Sequence, residues 1–338
     1  MDDTVLFSYK IDDRSYVSFI KREIHNLVTS SGFSSVKIGE IDIIVSELTS
    51  NLIKFAEKGE LLYRMSNDEK GLFFEIYCLD NGKGIQNLSR MMQDGISSSA
   101  TLGQGLGAIE RLSDNSSVFT LPDWGTIVYS KVYLKKNEVF TKSNPISLGA
   151  VKVCYPGEAV CGDGFYIKKM ETGVQFLMGD GLGHGINAHE AVQEAISAFK
   201  ECRHSSPVDV LRYIHENVKK TRGLVATVIY LDFGSQKWLM CGVGNISTLL
   251  YTGLSAKNYT PYNGIVGLNI PRTLNNSILD YEKYQTLIMH SDGLKTRWNL
   301  ADLQGILKHE PNIIAAALYK DNARYNDDMT VFAAKINL

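Results

Sequence analysis

Four short acidic turns in the second half of the chain hold the residues best suited to chemistry. They are CGDGF at 161–165, MGDGLGHG at 178–185, MHSDGL at 289–294 and NDDMTVF at 326–332. Each adjoins a run that reads as a strand: FYI after Asp163, VQFLM before Asp180, YQTLIM before Asp292 and MTVFAAKI after Asp328. A single Asp-Gly pair is only a turn. Carboxylates at four strand ends, far apart in sequence, are instead how a sheet assembles an all-oxygen metal site. Mg²⁺ and Mn²⁺ prefer carboxylate, carbonyl and water ligands, and hydrolytic two-metal centres hold the ions roughly 3.5–4 Å apart.

The order and wording of these turns resemble the metal-dependent serine/threonine phosphatases of the PP2C class, in particular the compact bacterial branch of sporulation and stress signalling. The resemblance covers residues 147–338. It implies that Asp180 bridges two metals and that Gly181 offers its backbone carbonyl. It makes Asp163 the partner of the first metal and of its water, and casts Asp163 and Asp180 as the catalytic carboxylates. Asp292 and Asp327 become the remaining carboxylates on the second metal. Asp328 is the other candidate of its pair, although the family usually uses the first position. RGLVATVIYLDF (222–233) and CGVGNISTLLY (241–251) match core strands of that fold. No arginine precedes the first aspartate turn to hold phosphate, a departure from the larger eukaryotic relatives. His184, His189 and His290 stand near these turns but are expected to pack or hydrogen-bond rather than ligate.

The first half carries an independent set. Over 36–57 the apolar residues Ile38, Ile41, Ile44 or Val45, Leu48, Leu52 and Phe55 recur at helical spacing, and Glu47 and Asn51, four apart, share one face of that helix. DNGKGI follows at 80–85 after the strand-like GLFFEIYCL, then LGQGLGAIERL at 102–112 and DWGTIV at 123–128. A glycine turn feeding a helix offers free N–H groups and a positive dipole end to phosphate. In this order the set resembles the GHKL ATP-binding fold shared by histidine kinases, gyrase, Hsp90 and bacterial anti-sigma serine kinases, over residues 5–134. The resemblance implies that Asp80 accepts from the adenine amino group with Thr126 beside it, and that Asn51 holds Mg²⁺. Gly82, Gly84, Gly103, Gly105 and Gly107 would shape the base and phosphate pockets. Glu47 would be the general base that turns a partner's serine or threonine hydroxyl toward the γ-phosphate. No histidine-bearing helix pair precedes the set, and QNLSRMMQDGISSSAT is too brief for a gyrase-like lid. The small serine kinases of partner-switching modules fit best.

The elements that position these residues follow from pattern and punctuation. Helices are predicted over 15–31, 36–57, 103–113, 187–202, 207–221 and 311–319, strands over 60–66 and 71–79, and a hairpin near 116–134. Pro207 just after a serine marks a helix start. The 338 residues suit two domains. The expected division is 1–136, a polar linker at 137–147 containing Pro145, and 148–338. The fold class is α/β (α+β): an α/β sandwich of the ATPase type followed by a PP2C-like α-β-β-α sandwich. A net charge of −2 with no basic tract excludes nucleic acid as a main partner. No apolar run approaches the ~18–20 residues of a membrane span, and no signal-peptide pattern opens the chain. Five cysteines without CxxC spacing point to a reduced, cytoplasmic protein. The expected function is a bifunctional regulator. One half uses two Mn²⁺ or Mg²⁺ to hydrolyse phosphoserine or phosphothreonine, and the other uses ATP with Mg²⁺ to phosphorylate a STAS-type antagonist or stress-complex protein. The alternative makes the first half a non-catalytic module that binds ATP or a partner, such as a sigma factor or downstream phosphatase, and regulates the second.

Overall fold

The computed structural model describes residues 4–11, 14–56, 58–88, 105–136, 146–253 and 255–337. The first domain opens with an edge strand, β1 (Phe7–Ile11), too short and mixed in exposure to be read from its pattern. Helices α1 (Arg14–Ser30) and α2 (Ser35–Phe55) follow. Ser34 caps α2 by accepting from the Lys37 N–H, and the stripe Ile41, Ile44, Val45, Leu48 and Leu52 is buried as the spacing predicts. Phe55 departs from that stripe and is 53% exposed, because the helix ends there and the chain turns extended at Ala56. Strands β2 (Gly59–Asp68) and β3 (Gly71–Asp80), helix α3 (Gly105–Leu112), and strands β4 (Asn115–Leu121) and β5 (Gly125–Tyr133) complete the domain. The strands form one antiparallel sheet in the order β1-β2-β3-β5-β4. The helices cover one face, where Leu61, Tyr63, Phe74 and Ile76 meet Ile20, Ile24, Ile44 and Leu48.

The second domain begins at β6 (Ile146–Val153), inside the expected linker, whose residues 137–145 lie outside the described ones. Then come β7 (Asp163–Met170), β8 (Gly173–Gly181), α4 (Ile186–Glu201), α5 (Pro207–Asn217), β9 (Leu224–Asp232), β10 (Lys237–Val243), β11 (Ser247–Thr252), β12 (Ser255–Tyr259), β13 (Ser277–Asp280), β14 (Thr286–His290), α6 (Pro311–Asn322) and β15 (Met329–Ile336). Two antiparallel sheets, ordered β13-β10-β9-β8-β7 and β12-β11-β14-β15-β6, pack face to face. Their shared core holds Phe165, Phe176, Trp238, Met289 and Phe332. Helices α4 and α5 cover the outer face of the first sheet, and α6 lies on the outer face of the second. This is the expected α-β-β-α sandwich.

Helix α6 has a second partner. The face of the first domain's sheet that α1–α3 leave open packs on it, so Leu62, Tyr77, Leu79, Phe119, Ile127 and Tyr129 share one core with α6 and with Val151, Ile288 and Val331. Polar groups on that face are satisfied across the boundary. Glu60 accepts from Tyr319 Oη and from Tyr325 Oη, each at 2.9 Å, and also from Ser8 within its own domain. Trp124 Nε1 donates to the Asp321 carboxylate at 2.8 and 3.0 Å, and Lys320 Nζ donates to the Trp124 carbonyl at 2.9 Å. Removing one donor from a buried carboxylate costs about 1 kcal/mol. Tyr319→Phe should therefore lower the melting temperature by about 2–4 °C, measured by scanning calorimetry. An unchanged melting temperature would show that Glu60 does not hold the domains together.

Candidate metal centre and nucleotide pocket

Strand pairing brings the acidic turns together. Asp163 starts β7 directly opposite Asp180 near the end of β8. Antiparallel partners project to the same side of a sheet, so these two carboxylates approach each other. Asp292 follows β14 and Asp327 precedes β15, strands that pair in the facing sheet. All four therefore meet at one end of the sandwich, where burial and mutual repulsion act together. Asp163 is fully buried, and desolvation moves its pKa up to about 7, with Ser291, hydrogen-bonded to Oδ2 at 2.6 Å, pulling the other way. Asp180 is raised well above the usual carboxylate range, by desolvation first and then by Asp163, Asp292, Asp327 and Asp328. Asp327 is raised by burial, and Asp292 and Asp328 add repulsion.

Such crowding is what a divalent cation relieves, and the residues fit one. Asp163 Oδ1 is buried with no hydrogen-bond partner among the described residues, which leaves a carboxylate oxygen in place for a ligand. Gly181 has no room for a side chain: a Cβ would stand 2.3 Å from the Ala188 carbonyl oxygen. Asp327 Oδ1 accepts the adjacent Asp328 N–H. Both oxygens of Asp328 hold backbone groups: Oδ1 accepts the Tyr155 N–H at 2.8 Å and Oδ2 the Gly162 N–H at 2.9 Å, tying the two ends of loop 155–161.

Two positioning residues escaped the motif reading. Ser291 orients Asp163, and Asn245, at the end of CGVGN, donates to Asp292 Oδ2 at 2.9 Å. Each stands inside a quoted motif, but only folding shows which aspartate it serves. The histidines pack as expected. His184 stacks on Tyr155 and bonds Glu158, His189 bonds the Cys161 carbonyl, and His290 contacts Trp298.

In the first domain Asp80 closes β3. Its Oδ1 accepts from Gly82 N–H at 2.7 Å and Thr126 N–H at 3.2 Å, and burial raises its pKa despite these donors and the positive charge of Lys320. Thr126 is buried and its hydroxyl lies 3.2 Å from that of Thr120, which holds the Ile85 N–H. Gly125, at φ +112°, lets β5 approach β3: a Cβ there would meet the Asp80 carbonyl oxygen at 2.0 Å. At the other end of the pocket, the start of α3 meets α2. A Cβ on Gly105 would stand 2.8 Å from Glu47 Oε2 and 3.8 Å from Asn51 Nδ2. Glu47, Asn51 and the helix N-terminus thus come together, and Gly82 and Gly84 line the turn after Asp80. Gly107 is buried within α3, while Gly103 lies outside the described residues.

Residues 12–129 match the family described as histidine kinase-like ATPase domain, and residues 170–337 match stage II sporulation protein E. The first domain belongs to the histidine kinase-like ATPase family, and the second carries the SpoIIE match. The ATPase match spans Glu47, Asn51, Asp80 and Thr126. The SpoIIE match, which is of the PP2C phosphatase class, spans Asp180, Asp292 and Asp327 and starts just after Asp163. The serine/threonine-protein kinase RsbT of Bacillus subtilis is 31% identical over 110 residues, 32% of this chain and 83% of RsbT. The phosphoserine phosphatase RsbX of the same organism is 26% identical over 185 residues, 54% of this chain and 90% of RsbX. A structure of RsbX in complex with magnesium has the fold of the SpoIIE domain, with a TM-score of 0.52 at 21% identity over 58% of this chain and 98% of that one. A chain from work on the bacterial stressosome, as a modular system adapted to control secondary messenger signalling, gives a TM-score of 0.52 at 26% identity, covering 56% and 98%.

The acid crowding has a sign that can be measured. An acid whose folded pKa lies above its unfolded value weakens the fold once ionised, and the loss is recovered as pH falls through the folded value. Metal-free protein should therefore gain stability between pH 8 and pH 6. Asp180→Asn should raise the metal-free melting temperature by about 2–4 °C. Added Mn²⁺ should stabilise the native chain at pH 8 and leave this variant nearly unmoved. A variant less stable than the native chain without metal would contradict the repulsion.

Proposed function

We propose that the SpoIIE domain hydrolyses phosphoserine or phosphothreonine on a regulatory protein with two Mn²⁺ or Mg²⁺ ions. The observation that carries this reading is the convergence of four repelling carboxylates around the unpartnered Asp163 Oδ1. Asp163, Asp180, the Gly181 carbonyl, Asp292 and Asp327 would hold the ions. When bound, such ions polarise a phosphoryl group and lower the pKa of water. Ser291 fixes the rotamer of Asp163, and Asn245 that of Asp292, so the carboxylates stay aimed where charge must be balanced. Asp328 contributes by holding the loop ahead of Asp163 rather than by ligation.

The ATPase domain binds ATP with Mg²⁺ and phosphorylates a serine or threonine of a STAS-type partner. Asp80, which already accepts the Gly82 N–H, would receive the adenine amino group, Asn51 would hold the ion, and Glu47, beside the α3 N-terminus, would orient and deprotonate the acceptor hydroxyl. Likeness to a protein kinase in one domain and to a phosphoserine phosphatase in the other supports opposed activities in one cytoplasmic chain.

A second reading, in which nucleotide also regulates the phosphatase, is favoured by one contact. Lys320 of α6 lies against the Trp124 ring and close enough to Asp80 to influence its charge, and α6 leads within a few residues to Asp327. The two readings separate cleanly. Hydrolysis of a phosphoserine protein should require added Mn²⁺ or Mg²⁺ and fall at least 100-fold in Asp180→Asn and Asp292→Asn; a folded Asp180→Asn enzyme of native rate removes the two-metal assignment. With radiolabelled ATP and a STAS protein, Glu47→Ala should bind ATP but not transfer phosphate, and equal labelling by both proteins rules out the kinase role. If ATP shifts the phosphatase rate in the native chain and in Glu47→Ala but not in Asp80→Asn, nucleotide binding regulates; no shift in any of them ends the second reading.

A further inference from the structure

Five cysteines occupy the chain, and four of them are buried. Cys154 is the exception, half-buried at the end of β6 where the surface loop 155–160 begins. Cys161 stands at the other foot of that loop, fully buried, with its Sγ 4.0 Å from the Val153 carbonyl oxygen. The two Sγ atoms and a carboxylate oxygen of Asp328 all lie within 4.8 Å of one another. Asp328 reinforces the arrangement, because its two oxygens hold the N–H of the residue after each cysteine, Tyr155 and Gly162. The feet of the loop are thus held side by side with a thiol on each. Nothing in the proposed phosphatase or kinase chemistry uses either sulfur.

We propose that Cys154 and Cys161 form a peroxide-sensitive dithiol that closes to a disulfide. The accessible Cys154 sulfur attacks one oxygen of a hydroperoxide, the O–O bond breaks, the leaving oxygen takes the thiol proton as water or alcohol, and Cys154 becomes a sulfenic acid. The Cys161 sulfur then attacks the Cys154 sulfur, the S–O bond breaks, and the hydroxyl leaves with the Cys161 proton as water. Two thiols and one hydroperoxide give one disulfide, one water and one water or alcohol. Having its partner within the same small cluster lets Cys161 intercept the sulfenic acid before further oxidation. Cys78, Cys202 and Cys241 are buried, at 3%, 2% and 0% exposure, and none shares such a neighbour in the described structure.

The bond reaches the metal centre through two residues. Gly162, next to Cys161, accepts the Gly181 N–H at 3.0 Å, and Asp163 follows it. Sulfurs drawn to bonding distance move Cys161 and, with it, the turn that sets Asp163 opposite Asp180. Oxidation therefore switches the SpoIIE domain down. This consequence rests on the phosphatase reading, whereas the disulfide itself does not.

The test uses the full chain, freed of metal by a chelator and treated with hydrogen peroxide. Thiols counted by a maleimide under denaturing conditions should fall by two and return with dithiothreitol, and peptide mapping should find Cys154 joined to Cys161. Cys154→Ser should lose no thiols under the same treatment. An unchanged count in the native chain, equal losses in the variant, or a lone sulfinic acid at Cys154 would overturn the dithiol. In the second arm, Mn²⁺-dependent hydrolysis of p-nitrophenyl phosphate should drop at least fivefold on oxidation and recover on reduction, with Cys154→Ser insensitive throughout. A disulfide that forms with hydrolysis unchanged overturns the coupling to Asp163. Reduced protein without any hydrolysis points instead at the phosphatase reading, and the thiol count still decides the dithiol.

Discussion

The burial of α6 on two sides is the constraint around which this protein is organised. A surface helix keeps one polar face for water. In α6 the run Ile313 to Tyr319 is buried throughout, since the SpoIIE sheet lies beneath it and the ATPase sheet above. The ATPase sheet in turn has no solvent face over most of its width. Its strands alternate as a half-buried sheet should, yet the side away from α1–α3 carries Glu60 and Arg64, both buried. Arg64 donates to Glu75 at 2.6 Å, Tyr129 donates to the same carboxylate, and Glu60 takes tyrosine hydroxyls from the other domain. Buried polar groups of this kind are tolerable only when fully paired. Pairing across the boundary therefore specifies how the two domains sit.

That packing brings two chemistries within reach of one helix. Asp80 and Thr126 lie beside Trp124, which is gripped by Lys320 and Asp321. The same helix ends at Asn322, and its following turn is stitched to the Asp292 loop through the Arg324 N–H on the Gly293 carbonyl and the Lys295 N–H on the Asn322 carbonyl. One helix thus touches the Asp80 side of the first domain and, at its end, two acidic turns of the second. Burial of the Lys320 ammonium, which lowers its pKa, makes the interface sensitive to charge arriving beside Asp80.

The acidic cluster shows the opposite balance. Strand order forces four like charges into one partly desolvated cleft, an arrangement that costs stability unless cations or protons offset it. Small hydrogen-bonding partners fix the carboxylates there: Ser291 on Asp163 and Asn245 on Asp292. Strain of this kind at a site is expected where function, rather than stability, sets the residue types.

Much of this was legible in the chain itself, because short-range physics determines it. Helical spacing placed α2 with Glu47 and Asn51 on one face, strand-like runs and turn chemistry placed the acidic loops, and Pro207 opened a helix where first-turn N–H groups need no partner. The two families follow from motifs of that local kind. What only the tertiary structure decided are the relations between distant segments: Ser291 serving Asp163 across 128 residues, Asp328 tying loop 155–161, the side-by-side sulfurs of Cys154 and Cys161, and Glu60 reaching Tyr319 over 259 residues. Sequence patterns report which face of an element is apolar. They carry no record of which other face covers it, since burial is non-directional and any apolar surface of the right shape satisfies it. The pairing of α6 with the ATPase sheet is of that second kind, and the geometry linking the two sites came with it.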